Sequence, residues 1–284
     1  MAIDYQRLLN YPIPEIVQDL TAKDTILYAL GVGLGQDPMD QQQLRFVYEE
    51  GLQALPTMAV VLAYPGFWLK RPDTGVDWVK VVHGEQAITI HQPLPVEGRL
   101  TGRSRVTAIL DKGPGKGALL CSERKVFAAD GTHLATLAST SFCRGDGGFG
   151  GPNGPTPSPH PIPERAAEAS LDVPTLPQAA LIYRLSGDTN PLHASPKIAA
   201  AAGFPRPILH GLATVGHVGH ALIRLACAYD PTRLNAMQMR FSAPVYPGET
   251  IRTEIWREGG VVSFRARVLE RDAIVINNGR AEVA

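Results

Sequence analysis

Six segments of the chain alternate apolar and polar residues with the two-residue period of a half-buried strand. Three lie in the first half: RLTGRSRVTAIL (99–110), GALLCSERKVFAA (117–129) and HLATLASTSF (133–142). Three close the second: TIRTEIWREG (250–259), VVSFRARVLE (261–270) and IVINNGRAEV (274–283). Short polar turns join the members of each set, which predicts two antiparallel meanders. Ahead of the second set runs HGLATVGHVGHALIRLACAY (210–229), which contains no proline. Its Leu212, Val215, Leu222, Leu225 and Ala226 form a helical stripe, so this segment predicts a long apolar helix. An apolar helix followed by an antiparallel meander predicts a sheet curled around that helix.

The halves share more than their strands. TILYALGVG (25–33) aligns without gaps on ALIYRLSGD (180–188), pairing Tyr28 with Tyr183 and Leu30 with Leu185. QPLPVEGRLTGRSRV (92–106) resembles SAPVYPGETIRTEIW (242–256) with a one-residue offset. Between the repeats, GDGGFGGPNGPTPSPHPIPE (145–164) is dense in Gly and Pro and has almost no apolar periodicity, the signature of a linker. The chain therefore divides into residues 1–144, a linker over 145–164, and residues 165–284, an internal pseudo-dimer.

Composition narrows the class. With 284 residues, 44% of them hydrophobic, the chain has material for a full core. Its formal charge is zero, which argues against a nucleic-acid partner, since that class carries a basic stripe. The apolar stretch 57–69 is too short for a bilayer and is interrupted by Pro65, and the first residues lack a signal-peptide pattern. Cys121, Cys143 and Cys227 are scattered and odd in number, as in reduced intracellular thiols. Arg99, Arg103, Arg105, Arg124 and Lys125 read as a solvated basic face, whereas Lys112 sits in a Gly/Pro turn from which a lysine can reach a phosphate.

Candidate chemistry concentrates in SGDTNPLHASP (186–196), where Asp188, Asn190 and His193 fall within six positions. Pro191 rules out regular helix there and leaves the three side chains free to converge. A carboxylate beside an imidazole supplies two proton carriers of different affinity, as general acid–base chemistry requires. The plainer alternative for Asp188 is a helix cap or an Asx-turn, although Ser195, just before Pro196, is the better cap. The aligned positions of the first half are Gly33, Gly35 and Pro38, so only one repeat carries the polar set. Gly211 opens the long helix, where unpaired amides either stabilise a developing oxyanion or simply let the helix begin beneath the sheet. His210, His217 and His220 lie on overlapping helix faces but lack a zinc signature, and no metal is assigned to them. The Gly-rich linker lacks the Lys-Ser/Thr of a phosphate loop, no G-x-G-x-x-G opens a helix, and Ser186 lies in LSGD and not in a G-x-S-x-G motif.

The stretch YRLSGDTNPLHASPKIAAAAGFPRPILHG (183–211), with MRFSAPVYPGETIRTEIW (239–256), resembles the signature of the hydratase 2 family, the MaoC-like (R)-specific enoyl-CoA hydratases. VVHGEQAITIHQPLPVEG, ILDKGPG and GGFGG in the first half resemble its two-unit version, the hydratase part of peroxisomal multifunctional enzyme type 2. The resemblance implies an α+β double hot-dog, two antiparallel sheets each wrapped around a central helix. It implies reversible hydration of trans-2-enoyl-CoA to (3R)-3-hydroxyacyl-CoA without metal or redox cofactor, coenzyme A being part of the substrate.

By that resemblance Asp188 and His193 share the reacting water, Asn190 helps to hold them, and the Gly211 amide is the oxyanion donor. His83, Gly84, Lys112 and Phe241 match acyl-CoA contacts. Thr189, Pro191 and Leu192 belong to the same binding motif, Thr189 standing where an aromatic residue is frequent. The first unit would then take the acyl chain. An acyl-CoA thioesterase or a non-catalytic acyl-CoA-binding protein is the alternative on the same scaffold. A homodimer is expected, and the C-terminal AEVA, unlike a peroxisomal address, suggests a freestanding cytoplasmic enzyme.

Overall fold

The computed structural model describes residues 3–284; the first two residues of the 1–144 unit lie outside it. Ten strands form one antiparallel sheet: β1 (Ile16–Leu20), β2 (Val81–Ile90), β3 (Gly98–Asp111), β4 (Ala118–Ala128), β5 (His133–Cys143), β6 (Ala169–Pro174), β7 (Leu234–Phe241), β8 (Thr250–Glu258), β9 (Val261–Val268) and β10 (Ala273–Val283). Their order in space is β1-β3-β4-β5-β2-β7-β10-β9-β8-β6. Read outward from the middle, both halves follow one plan, with β2 and β7 as matching central strands. These two pair directly, Gln86 opposite Met239 and Ile88 opposite Met237, and the cross-strand ion pair of Glu85 with Arg240 fastens the join. The double hot-dog is thus present, but its two expected sheets are fused edge to edge into one. The reason is that each half would otherwise end in an unpaired central strand.

The helices are α1 (Tyr5–Leu9), α2 (Ala22–Gly31), α3 (Gln41–Leu44), α4 (Ala179–Tyr183), α5 (Pro196–Ala201) and α6 (Gly211–Cys227). The long helix α6 is buried along nearly its whole length and packs against β6, β7, β8 and β10. Thr21 caps α2 in a reciprocal capping box with Asp24. In the repeat, α2 and α4 pack together, and buried Tyr28 and Tyr183 meet with ring centroids 6.0 Å apart.

The first half departs from the expected plan. Among the described residues no long helix occupies its sheet; a 3-10 turn over Pro56–Val60 packs there instead, against β2, β5 and α6. Val60 and Val61 favour strand over helix, Ala63 has a positive φ of 44°, and Pro65 cannot continue a helix. Gly216 and Gly219 let α6 sit against this turn and α2. A Cβ on Gly219 would stand 2.4 Å from Thr57, and one on Gly216 would stand 2.3 Å from Val32.

Candidate active site

The polar motif occupies the crossing between α4 and α5. The Asp188 carboxylate accepts a hydrogen bond from the Asn190 amide at 3.1 Å, an Asx-turn that bends the chain out of α4. Asn190 then caps the short 3-10 turn Pro191–His193, its side-chain oxygen accepting from Leu192 at 3.1 Å. Ser195 caps α5, as its position before Pro196 predicts. Both plain roles weighed for the motif are therefore in use, the Asx-turn at Asp188 and the cap at Ser195. They orient the side chains and leave most of the Asp188 carboxylate unengaged.

His193 is buried, and its Nδ1 donates to the Ile208 carbonyl at 2.9 Å. That bond fixes the tautomer, so Nε2 presents a lone pair. Burial pushes the imidazole pKa down, against the opposing pull of the Ile208 bond and the Asp188 charge. His193 is accordingly held neutral, a base in waiting. His210 stacks on it, ring centroids 3.7 Å apart, and its Nε2 donates to the Asp188 backbone carbonyl at 3.1 Å. Burial lowers the His210 pKa to about 3, so a second neutral ring backs the first.

Ligand-capable atoms of Asp188, His193 and His210 all lie within 4.8 Å of one another. The two rings are nearly parallel, at 27°, and one nitrogen on each donates to a carbonyl. Lone pairs in near-parallel planes do not converge on one ion, and the set suits proton transfer better than chelation. His217 and His220, further along α6, are core residues.

Gly211 begins α6, and the first intrahelical bonds belong to Ala213 and Thr214, both donating to the His210 carbonyl. The Gly211 amide thus stands free at the positive end of the helix dipole. A Cβ there would press on the Phe241 ring at 3.0 Å, so glycine is what lets ring and helix end meet. Phe241 in turn packs on His83, ring centroids 4.6 Å apart. His83 Nε2 is bonded to the Glu85 carbonyl at 3.0 Å across the bulge that Gly84 makes in β2, and burial lowers its pKa to about 4.

These groups open onto one cavity of about 810 Å³ that runs from the motif across the first-half sheet. Asp188, Asn190, Leu192, His193, Gly211, Phe241 and His83 line it. Four expected residues do not. Thr189 and Pro191 are exposed, and Gly84 is the bulged residue of β2, outside the cavity lining. Lys112 donates to Asn153 at 3.2 Å and to the Gly154 carbonyl at 3.3 Å, bracing the linker and not facing the cavity. Its neighbour Asp111 draws the same linker in by accepting from Gly113, Gly148 and Gly150. Residues not anticipated from sequence also line the cavity, chiefly His210's neighbour Thr214, Tyr64, Trp68 and Arg124. Arg124 is no part of a solvated face. It is 8% exposed, while Arg99, Arg103 and Lys125 point outward.

Two family models match the chain, the MFE-2 hydratase 2 N-terminal domain over residues 19–145 and the MaoC-like domain over 159–278. The enoyl-CoA hydratase ChsH3 of Mycobacterium tuberculosis is 40% identical over 285 residues, spanning 98% of each chain. The chain belongs to the MaoC-like hydratase 2 family. A second relative of this hydratase 2 chain, the peroxisomal enoyl-CoA hydratase 2 of Arabidopsis thaliana, is 38% identical over 95% of the chain and 92% of its own length. A crystal structure of a MaoC-like dehydratase from Phytophthora capsici superposes with a TM-score of 0.87 at 34% identity, covering 99% of this chain and 98% of that one.

Proposed function

We propose that this hydratase 2 chain adds water reversibly across trans-2-enoyl-CoA to give (3R)-3-hydroxyacyl-CoA, with Asp188 and His193 as the catalytic pair. The observation that carries the reading is that a largely unengaged Asp188 carboxylate and His193, whose Nε2 presents a lone pair, lie together near the start of α6 on one long cavity. Oxygen from water bonds to C3 as the C2–C3 π electrons move into the thioester, and the pair takes one proton from the water. The enolate oxygen rests on the Gly211 amide, and a donor of that kind contributes about 2.7–4 kcal/mol. The pair then returns a proton to C2 on the same face and the thioester re-forms. Asn190 holds the loop between them, and Leu192, Phe241 and His83 bound the acyl thioester. Every step is a proton transfer or an addition, so the reading calls for no metal or redox cofactor.

The reading extends to a homodimer in the cytoplasm. Leu181 on α4 and Leu185 just after it, 53% and 64% exposed, offer an apolar patch to a second copy, and light scattering on the purified protein tests this. Three unpaired cysteines suit a reducing compartment. Among the described residues, no helix is long and apolar enough to cross a membrane.

The direct test follows the loss of conjugated-enoyl absorbance with trans-2-decenoyl-CoA, resolves the configuration at C3, and runs Asp188→Asn alongside. A 3R product, abolished in the variant, is the expected result. Release of free CoA would instead indicate a thioesterase, and binding without turnover an acyl-CoA carrier.

A further inference from the structure

The inner face of the first-half sheet changes character along its length. At one end Leu100, Val126, Ala135 and Ile88 pack into the core. Toward the cavity the same face turns polar. Register places Ser104 opposite Arg124, Ser122 opposite Ser139, and Ser139 opposite Gln86, so these side chains form a continuous band over β3, β4, β5 and β2. All of them line the cavity. Ser122 and Ser139 share a hydrogen bond of 2.9 Å, and Gln86 spends its amide on the Ala87 and Ala138 carbonyls.

Arg124 is the group left over. Its Nη2 donates to the Val60 carbonyl at 2.5 Å and reaches that of Ala59 at 3.4 Å, closing the end of the 3-10 turn. Its Nε is buried without an acceptor, and Nη1 has no protein partner among the described residues. Among the described residues no carboxylate pairs with it; the face of Tyr64 lies beside it, 5.1 Å from the guanidinium carbon to the ring centroid. Burial without a counter-charge lowers its pKa to about 10. Buried guanidinium groups are ordinarily paired, because an unpaired one carries a large desolvation cost. A plain hydrocarbon tail that displaced solvent from this end would leave the fork and the serine band dry.

We infer that Arg124 and the Ser104–Ser122–Ser139 band select enoyl-CoA substrates whose acyl tail carries an acceptor oxygen, a ketone or a carboxylate remote from the thioester. This rests on the hydratase reading for the reaction and names the substrate class of the same site. The unengaged Nη1 donates to that oxygen and the serines supply hydroxyls beside it. A charge-assisted hydrogen bond contributes enough for roughly ten- to hundredfold in affinity.

The test compares matched medium- and long-chain trans-2-enoyl-CoAs ending in a methyl group, a methyl ketone or a carboxylate. Wild-type kcat/KM should favour an oxygenated tail by about tenfold or more, and in Arg124→Met that ratio should collapse toward one. The ketone and carboxylate arms separate a neutral acceptor from an anion. Equal wild-type values for all three tails would overturn the inference. So would an Arg124→Met enzyme that loses the three substrates in equal proportion, since a brace for the 3-10 turn or a contact to coenzyme A predicts that outcome. Ser122→Ala, which leaves the Val60 and Ala59 bonds in place, should lower the ratio in the same direction even if Arg124→Met does not fold. Should no tail be hydrated, the hydratase reading fails by itself. Calorimetric Kd values of the corresponding saturated acyl-CoAs would still report the ratio.

Discussion

The two halves of the molecule build the same five-stranded pattern and fill it differently. In the second half the concave face is apolar but for Thr253, with Ile251, Ile255, Phe264, Ala266 and Val268 fully covered beside the core helix α6. In the first half a broken 3-10 turn takes the helix position and covers only part of the face. The uncovered remainder becomes the cavity, with serines and Arg124 on its wall. One duplicated scaffold thus gives one rigid half that aims the acid–base pair and one open half that can house a ligand. A hot-dog unit gains binding space by losing its helix, at the cost of core. The lesson also covers the chemistry: the polar set stands on the half whose helix end is intact, because only there does a free amide face the pair.

The strongest way to break this comparison is to remove the pair. Asp188→Asn and His193→Ala should each lower kcat by about 10²–10⁴-fold with little change in KM, read from steady-state hydration. Gln36→Ala, in the aligned first-half loop where the side chain merely reaches the Pro174 carbonyl, should leave turnover intact.

Acid sharpens the contrast next. His210, His217 and His220 of the second half have pKa values pushed by burial to about 3, 4 and 3, against about 4 for His83 in the first. The unfolded chain binds those protons from about pH 6.5 downward and the folded chain does not. Stability is therefore fully present above about pH 6.5 and falls as the pH drops toward 4, by up to about 1.4 kcal/mol per pH unit for each histidine. Denaturant titrations across that range should show the slope, and His220→Gln should flatten it. Activity should persist somewhat below the ordinary histidine range, because His193 is also held low. A hydration rate that fell off above that range would contradict the neutral tautomer.

A smaller effect tests the seam between the halves. Gly216→Ala or Gly219→Ala would drive a methyl into Val32 or Thr57. Overpacking costs about 1–3 kcal/mol and outweighs the roughly 1 kcal/mol that alanine gains in a helix. Thermal melts should fall for both, whereas Gly113→Ala, in an open turn of positive φ, reports backbone strain alone. The smallest effect belongs to the exposed pair of Arg103 and Glu15, 2.7 Å apart on the convex face. Glu15→Gln should change stability by less than about 1 kcal/mol. A larger loss would mean that this face is covered in solution.

Much of this arrangement was legible in the chain. All six alternating segments became strands within a residue or two of their expected ends, and the proline-free run became α6. Strands β1, β2, β6 and β7 went unassigned because they are short or lack a clean alternation, and three-dimensional pairing decides them. The Asp188, Asn190 and His193 cluster was visible because Pro191 forces a turn that local hydrogen bonds then complete. Arg124 was misread by being grouped with its basic neighbours; the strand period already puts it on the opposite face from Lys125. The bonds of Lys112 to Asn153 and Gly154 were not legible because nothing local says that the linker folds back onto its turn.

What the sequence determined by itself is local: the periods of strands and helix, the caps, the turn that gathers the polar motif, and the repeat that says the unit occurs twice. These follow from backbone geometry and near-neighbour hydrogen bonds, which a short window contains. What tertiary structure alone decided is long-range. It fused the sheets through β2 and β7, fixed the His193 tautomer on a carbonyl fifteen residues away, stacked His210 behind it, and turned Arg124 into a cavity wall. Each of those depends on distant segments meeting under the constraint of close packing, and no window along the chain holds that information.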